Sequence, residues 1–338
     1  MKNNYTIADI ARLSGVSKGT VDRVLHKRGR VSTQAESKVK KVLETIDYQP
    51  NIIAKQLKRT KEFRVLCIIP NPKLDPYWSP LFRLVEEYQK PNSLKISFQF
   101  QYFDPFNQSS FIDLSNSLKF DQIDLVILTP IFFNESIFLI SQLKRNKIPY
   151  ITFNASTELT GGLSFIGQNL RQSGQLSGHL LQLLDPNPGT ILSFHLKEDF
   201  NNTIHMKKKQ AGLEYYFEKN RINKKIISIN LTEDNLDKMI DENIDLYQPK
   251  GISISNSLGH LVAERLRVNK LDIPFIAYDR TEENEAFLKS GEIDFIIEQN
   301  PYKQLETAIK LAQDYLIFEN QPKNQYEIPL EIISKENL

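Results

Sequence analysis

The chain has 338 residues, 40% of them hydrophobic and 25% charged, a composition ordinary for a globular protein and a length beyond one domain of typical size. No apolar run reaches the roughly 18 residues needed to cross a bilayer, and the N-terminus has no apolar signal-peptide core, so a cytoplasmic protein without a membrane segment is expected. The net charge of +2 conceals an asymmetry: residues 1–61 hold fourteen Lys/Arg against five Asp/Glu, while the remainder has an acidic excess of seven. A basic end on an acidic body is the footprint of a polyanion-binding module. The one cysteine, Cys67, lies in the apolar run Val65-Leu-Cys-Ile-Ile69, where it reads as a buried strand residue with no disulfide partner.

In chain order, Ile7, Ile10, Ala11 and Leu13 fall at helical spacing, and Val16, Val21, Val24 and Leu25 repeat the pattern after a break. Thr6 with Asp9 makes a capping box, Ser17 can cap the second helix, and Gly15 suits a turn that needs positive φ. Two short amphipathic helices joined this way form a helix-turn-helix, whose second helix enters the major groove of DNA. Ser32 can cap a third helix reaching about Ile46, with Val39, Leu43 and Ile46 as its apolar stripe. After Tyr48-Gln-Pro-Asn51, Asn51 can cap a short segment through Leu57, and a charged linker follows.

Beyond the linker, short apolar strands alternate with amphipathic helices. Strands are expected at 64–69, 96–102, 125–128, 150–153, 190–194, 226–229, 251–254, 275–278 and 295–297. This alternation argues for parallel, doubly wound sheets with helices on both faces, and the number of strands argues for two lobes. The expected fold class is α/β. An all-α head over 1–50 and a short helix with linker over 51–62 precede a body over 63–338. One lobe of the body comprises about 63–166 and 300–320, the other about 167–299 and 321–338.

The run Thr6-Ile-Ala-Asp-Ile-Ala-Arg-Leu-Ser-Gly-Val-Ser17, then Thr20-Val-Asp-Arg-Val-Leu25, Val31-Ser32 and Tyr48-Gln-Pro-Asn51 with Ala54 and Leu57, resembles the lactose-repressor (LacI/GalR) family of bacterial transcription regulators. The body resembles that family's periplasmic-binding-protein-like sensor through Phe165-Ile-Gly-Gln-Asn169, Gly251-Ile-Ser-Ile-Ser-Asn256, Phe275-Ile-Ala-Tyr-Asp279 and Gly291-Glu-Ile-Asp-Phe-Ile-Ile-Glu-Gln-Asn-Pro301. Two departures stand out. Asp22 replaces the usual Ser before Arg23; it either pairs with a neighbouring cation or accepts from a cytosine amino group. Lys209, in Lys209-Gln-Ala-Gly212, replaces the Arg that holds the effector, giving a point charge without a bidentate fork.

The resemblance implies operator DNA, a homodimer (a tetramer stays open) and a small-molecule effector, and it names the contacts. Thr6, Ser17, Lys18, Gly19, Thr20 and Arg23 are the candidates in the head. Lys18, Gly19 and Thr20 open the recognition helix, where Lys can reach guanine and a Thr methyl can touch thymine. Ser17 and Arg23 suit phosphates, although Ser17 can serve as a cap alone and Arg23 as a salt-bridge partner. Asn51, Ala54 and Leu57 correspond to the family's hinge helix, with Leu57 as a minor-groove wedge. In the body, Asn71, Tyr77, Trp78, Asp104, Asn154, Lys209, Asn256, Asp279 and Gln299 follow strands or match the effector pocket. Asp104 and Asn154 suit turns equally well. Stacking rings with paired amides and carboxylates favour a sugar, with a nucleobase or amino acid as the alternative. No cofactor or metal is expected: the five histidines show no metal-ligand spacing, and no nucleophile elbow or phosphate loop appears. An enzyme fused to a DNA-binding head is the remaining reading of a different class. A repressor is expected, and the effector can either release the operator or strengthen binding to it.

Overall fold

In a computed structural model of the chain, the residues described are 5–25, 29, 31–46, 62–90, 95–155, 161–198, 200–231 and 236–338. The hinge candidates Asn51, Ala54 and Leu57 lie outside them. Two units are distinguished, Met1–Lys61 and Glu62–Leu338.

The first unit contains α1 (Ile7–Ser14), α2 (Lys18–Leu25) and α3 (Thr33–Thr45). The Thr6 hydroxyl accepts from the Asp9 amide at 3.3 Å, and the Asp9 carboxylate accepts from the Thr6 amide at 3.0 Å, closing the capping box. Gly15, at φ +64°, ends α1 in the left-handed region. Ser17 accepts from Thr20 N at 3.2 Å and Ser32 from Ala35 N at 3.4 Å, so both helices that follow begin on hydroxyl caps. Ile10, Val21 and Val39 are fully buried where the three helices meet. Leu13, expected on the same apolar face, is instead 50% exposed. At 100° per residue it falls about 110° from the centre of the stripe made by Ile7, Ile10, Ala11 and Ser14.

The second unit has two six-stranded sheets. The first lobe contains β1 (Phe63–Pro70), α4 (Leu81–Tyr88), β2 (Ile96–Phe103), α5 (Gln108–Asn116), β3 (Leu125–Leu128), α6 (Phe133–Arg145), β4 (Tyr150–Phe153) and β5 (Ser164–Gly167). The second contains α7 (Leu170–Leu184), β6 (Gly189–Leu196), α8 (Ile204–Lys219), β7 (Lys224–Leu231), α9 (Leu236–Tyr247), β8 (Gly251–Ile254), α10 (Gly259–Asn269), β9 (Phe275–Tyr278), α11 (Glu282–Ser290) and β10 (Phe295–Glu298). The chain then returns: α12 (Pro301–Phe318) packs in the first core, β11 (Gln325–Glu327) joins the first sheet and β12 (Glu331–Ile333) the second.

Both sheets share one topology, β2-β1-β3-β4-β5-β11 and β7-β6-β8-β9-β10-β12. Every pairing is parallel except that of β12 with β10. The strands β3, β4, β8 and β9 are buried throughout, as expected of parallel strands covered by helices on both faces. The tail over 321–338 does not belong to one lobe as expected. Gln325 pairs with Phe165 in the first sheet, and Ile333 with Ile296 in the second. The two tail strands have three residues each and mostly exposed side chains, so neither carries an apolar signature.

The chain crosses between lobes after β5, after β10 and after β11. Gln168 ties the three crossings together, its Nε2 donating to Glu298 O and Pro329 O at 2.8 Å each. Among the described residues, no helix is long and apolar enough to cross a membrane.

Candidate functional site

In the first unit, Ser17, Lys18, Gly19 and Arg23 are exposed along α2, while Val21 anchors the helix in the core. Thr20 is half-buried and its hydroxyl lies 2.9 Å from that of Ser17. Thr6 is exposed, but its hydroxyl is engaged by the α1 cap. Lys18 and Gly19 thus sit exposed at the N-terminal end of a short helix.

In the second unit, the crevice between lobes gathers residues from the carboxyl ends of strands. In each sheet the central strand pair, β1/β3 and β6/β8, is where the strand order reverses, and such switch points open a crevice. Past β1 come Asp75, Tyr77 and Trp78. Past β6 comes Glu198, and past β8 come Asn256 and Ser257. Asn154 follows β4 and Asp279 follows β9, each at φ +70°. Each also donates its backbone N–H to the next strand of its sheet, Asn154 to Ile166 O at 2.9 Å and Asp279 to Ile297 O at 3.0 Å. The two lobes therefore present the same left-handed corner to the cleft. Asn and Asp tolerate that conformation better than other side chains.

These residues, with Phe106, Ile131, His205, Lys209 and Gln299, line one interlobe cavity. Trp78 stands edge-on to Tyr77 at 4.5 Å and to Phe153 at 6.3 Å between centroids, fixing the aromatic wall. Asn154 Nδ2 donates to the Tyr77 hydroxyl. Gln299 Nε2 donates to Asp279 Oδ1 at 2.7 Å, and Asn256 Nδ2 donates to Leu196 O at 2.7 Å and Glu198 Oε1 at 3.0 Å. The lobes touch across the cleft through Ser257, which donates to Asp75 Oδ1 at 3.1 Å, and through Asn202, which donates to Glu135 Oε2 at 2.9 Å.

Lys209, on α8, is buried beneath the floor. Its Nζ donates to Ser255 O at 2.8 Å and stands 3.9 Å over the Tyr278 ring. Burial pushes its ammonium down to about 8, against the opposing pull of Asp279 and Glu198. Burial also raises the acids: Asp279 up to about 8, Glu198 up to about 7, and Asp75 above the usual carboxylate range. His205 lies with Nε2 3.4 Å from Glu198 Oε2, yet burial first and Lys209 second hold it well below its ordinary value. His195, buried between the hydroxyls of Ser255 and Ser228, is pushed down to about 4.

Residues 6–51 match the bacterial regulatory proteins of the lacI family, and residues 66–320 match the periplasmic binding protein domain. The chain belongs to the LacI family. It is 24% identical over 187 residues to the HTH-type transcriptional regulator DegA of Bacillus subtilis, the match covering 55% of each chain. It is 37% identical over 82 residues to a ribose operon repressor of Halalkalibacterium halodurans, 24% of each chain. The matched stretches thus span about half of the first relative's length and about a quarter of the second's. A crystal structure of a candidate LacI transcriptional regulator from Bacteroides fragilis has a TM-score of 0.73 at 25% identity, covering 82% of this chain and 98% of that one.

Of the effector candidates expected in this LacI-family chain, Tyr77, Trp78, Asn154, Lys209, Asn256, Asp279 and Gln299 converge on the cavity. Asn71 and Asp104 do not line it. Each shapes a turn instead, Asn71 Oδ1 accepting from Lys73 N at 3.0 Å and Asp104 Oδ1 from Phe106 N at 2.9 Å. Among the lining residues that went unselected, three are titratable: Asp75, Glu198 and His205. The signal for Glu198 was its place just past β6, the strand-end rule that selected Asn256. Asp75 sat inside the 71–78 segment, and His205 had no sequence neighbour to mark it.

Proposed function

We propose that this protein is a sequence-specific DNA-binding transcription regulator, a repressor, working in the cytoplasm as a homodimer. Its operator affinity is set by a small polyhydroxylated effector, a sugar, held between the lobes. The observation that carries the reading is the cleft itself. An aromatic wall faces amides and carboxylates drawn from both lobes, in a chain whose other unit is a helix-turn-helix with Lys18 and Gly19 exposed. Flat apolar ring faces with an edge of hydroxyls suit this combination, and a relative named for a ribose operon supports it. A pair of heads supplies the contacts that one short recognition helix lacks, reading half-sites about 10 bp apart or in multiples of that spacing.

Thermal-shift screening against sugars, nucleosides and amino acids tests the effector class. A ligand at a hundredfold excess over its dissociation constant stabilises by about 2.7 kcal/mol. A sugar is expected to do so in the wild type and to lose the effect in Asp279→Ala and Gln299→Ala. Stabilisation by nucleosides or amino acids alone would refute the sugar reading.

A further inference from the structure

The cleft holds more carboxyl groups than its own cations can pair with. Asp75, Glu198 and Asp279 all line the cavity, and among the described residues the one Lys or Arg on its wall is Lys209. That ammonium is already committed to the Ser255 carbonyl and the Tyr278 ring. Among the described residues, no Lys or Arg nitrogen comes within 4 Å of any of the three carboxylates; the one ion-pair distance to any of them is that of the His205 imidazole, 3.4 Å from Glu198, and burial disfavours its charged form. One oxygen on each aspartate is also spare. Asp75 uses Oδ1 for the Tyr77 amide and the Ser257 hydroxyl, and Asp279 uses Oδ1 for Gln299. Among the described residues, neither Oδ2 accepts a hydrogen bond. Carboxylates taken out of water need a hydrogen-bonded counter-charge, and a neutral sugar brings donors but no charge.

We propose that the effector carries a protonated amine beside its hydroxyls, an amino sugar or a related amine-bearing polyol. The proposal rests on the sugar reading above and narrows it. An ammonium offers three donors on one centre, which matches the spare oxygens of separate carboxylates better than a hydroxyl does. A metal ion does not fit the same charge, because no three His, Cys, Asp or Glu among the described residues converge as ligands. The raised carboxyls agree: with the cleft unliganded they take up protons, which an incoming ammonium would displace.

The test uses the full-length protein and matched triplets: a neutral hexose, its 2-amino- and 3-amino-deoxy forms, and their N-acetyl derivatives, with spermidine and lysine as amines that are not sugars. Isothermal titration at pH 7.5 is expected to show one free-amine sugar binding at least tenfold tighter than its neutral and N-acetyl counterparts. Glu198→Gln and Asp279→Asn, both near-isosteric, are each expected to weaken that ligand tenfold or more, with circular dichroism reporting that each variant is folded. A neutral sugar binding as tightly as its amine overturns the amine proposal and leaves the sugar reading standing. Binding of spermidine or lysine alone overturns the sugar reading and keeps the amine. If nothing in either set binds, both fall. Amine binding that is unchanged in both folded variants also overturns the proposal, since the carboxylates would then play no part.

Discussion

In the proposed regulator, single side chains divide the work between reading DNA and tuning the cleft. Lys18, exposed at the start of α2, is the proposed base-edge contact, and Arg23, also exposed on α2, the proposed phosphate contact. Lys18→Ala is expected to cost about 1–3 kcal/mol and relax preference at one position, whereas Arg23→Ala should weaken all sequences alike and reduce the salt slope by about one. Binding titrations on a family of single-base operator variants at several salt concentrations check this; identical behaviour of the two variants would undo the division. In the cleft, Glu198 is raised from its ordinary 4.5 to about 7, so between those values the folded chain holds a proton that the unfolded chain has lost. Its contribution to stability therefore falls as pH rises from about 4.5 through 7 and is flat above. Glu198→Gln is expected to be more stable than wild type at pH 8 by about 1–3 kcal/mol and close to it at pH 4.5, measured by urea unfolding without ligand. The opposite ordering at pH 8 would mean that the carboxylate is stabilised where it stands. These charges were only partly legible in the sequence. Asp279 and Asn256 follow strands and match a familiar motif, but Asp75 and His205 reach the cavity through loops and a helix face that no spacing announces.

At the level of elements, the strands announced themselves because parallel strands buried on both faces are written as unbroken apolar runs, Val65–Ile69 and Phe275–Tyr278 among them. The edge strands β11 and β12 carried no such run, and β11 was assigned to the wrong lobe for that reason. The contact between α7 and α8 was equally silent. A β-carbon on Gly174 would stand 1.9 Å from Lys209 O, and one on Gly212 would stand 2.0 Å from Arg171 O, so the two backbones touch at paired glycines. In sequence, a glycine inside a helix reads only as a propensity cost of about 1 kcal/mol. Here the pair sets the height of α8 and with it the seat of Lys209 under the cleft. Gly174→Ala must push α8 away from α7, an overpacking expected to cost about 1–3 kcal/mol in urea unfolding and to weaken effector binding through Lys209. Unchanged stability and unchanged ligand affinity would show that the helices part freely.

Across the whole chain, an effector held between the lobes acts on two bodies joined by the three crossings that Gln168 ties together. Removing that amide leaves Glu298 O and Pro329 O without the donor that now bridges them. Gln168→Ala is therefore expected to cost about 1–3 kcal/mol, visible as a lower urea midpoint, whereas an unchanged midpoint would assign the bridge no weight. Coupling between cleft and operator is a free energy shared by both ligands: whatever factor the effector imposes on DNA affinity, DNA must impose on effector affinity. The most direct measurement starts from an operator selected by the full-length protein from random duplexes. Fluorescence anisotropy then gives operator affinity with and without the sugar that stabilises the protein, and calorimetry gives sugar affinity with and without operator. The expected result is a change of fivefold or more in operator affinity, the same factor in the reciprocal experiment, and neither change in Asp279→Ala. An operator affinity unmoved by saturating ligand, or a ligand chemically consumed during the titration, would contradict an effector-controlled regulator.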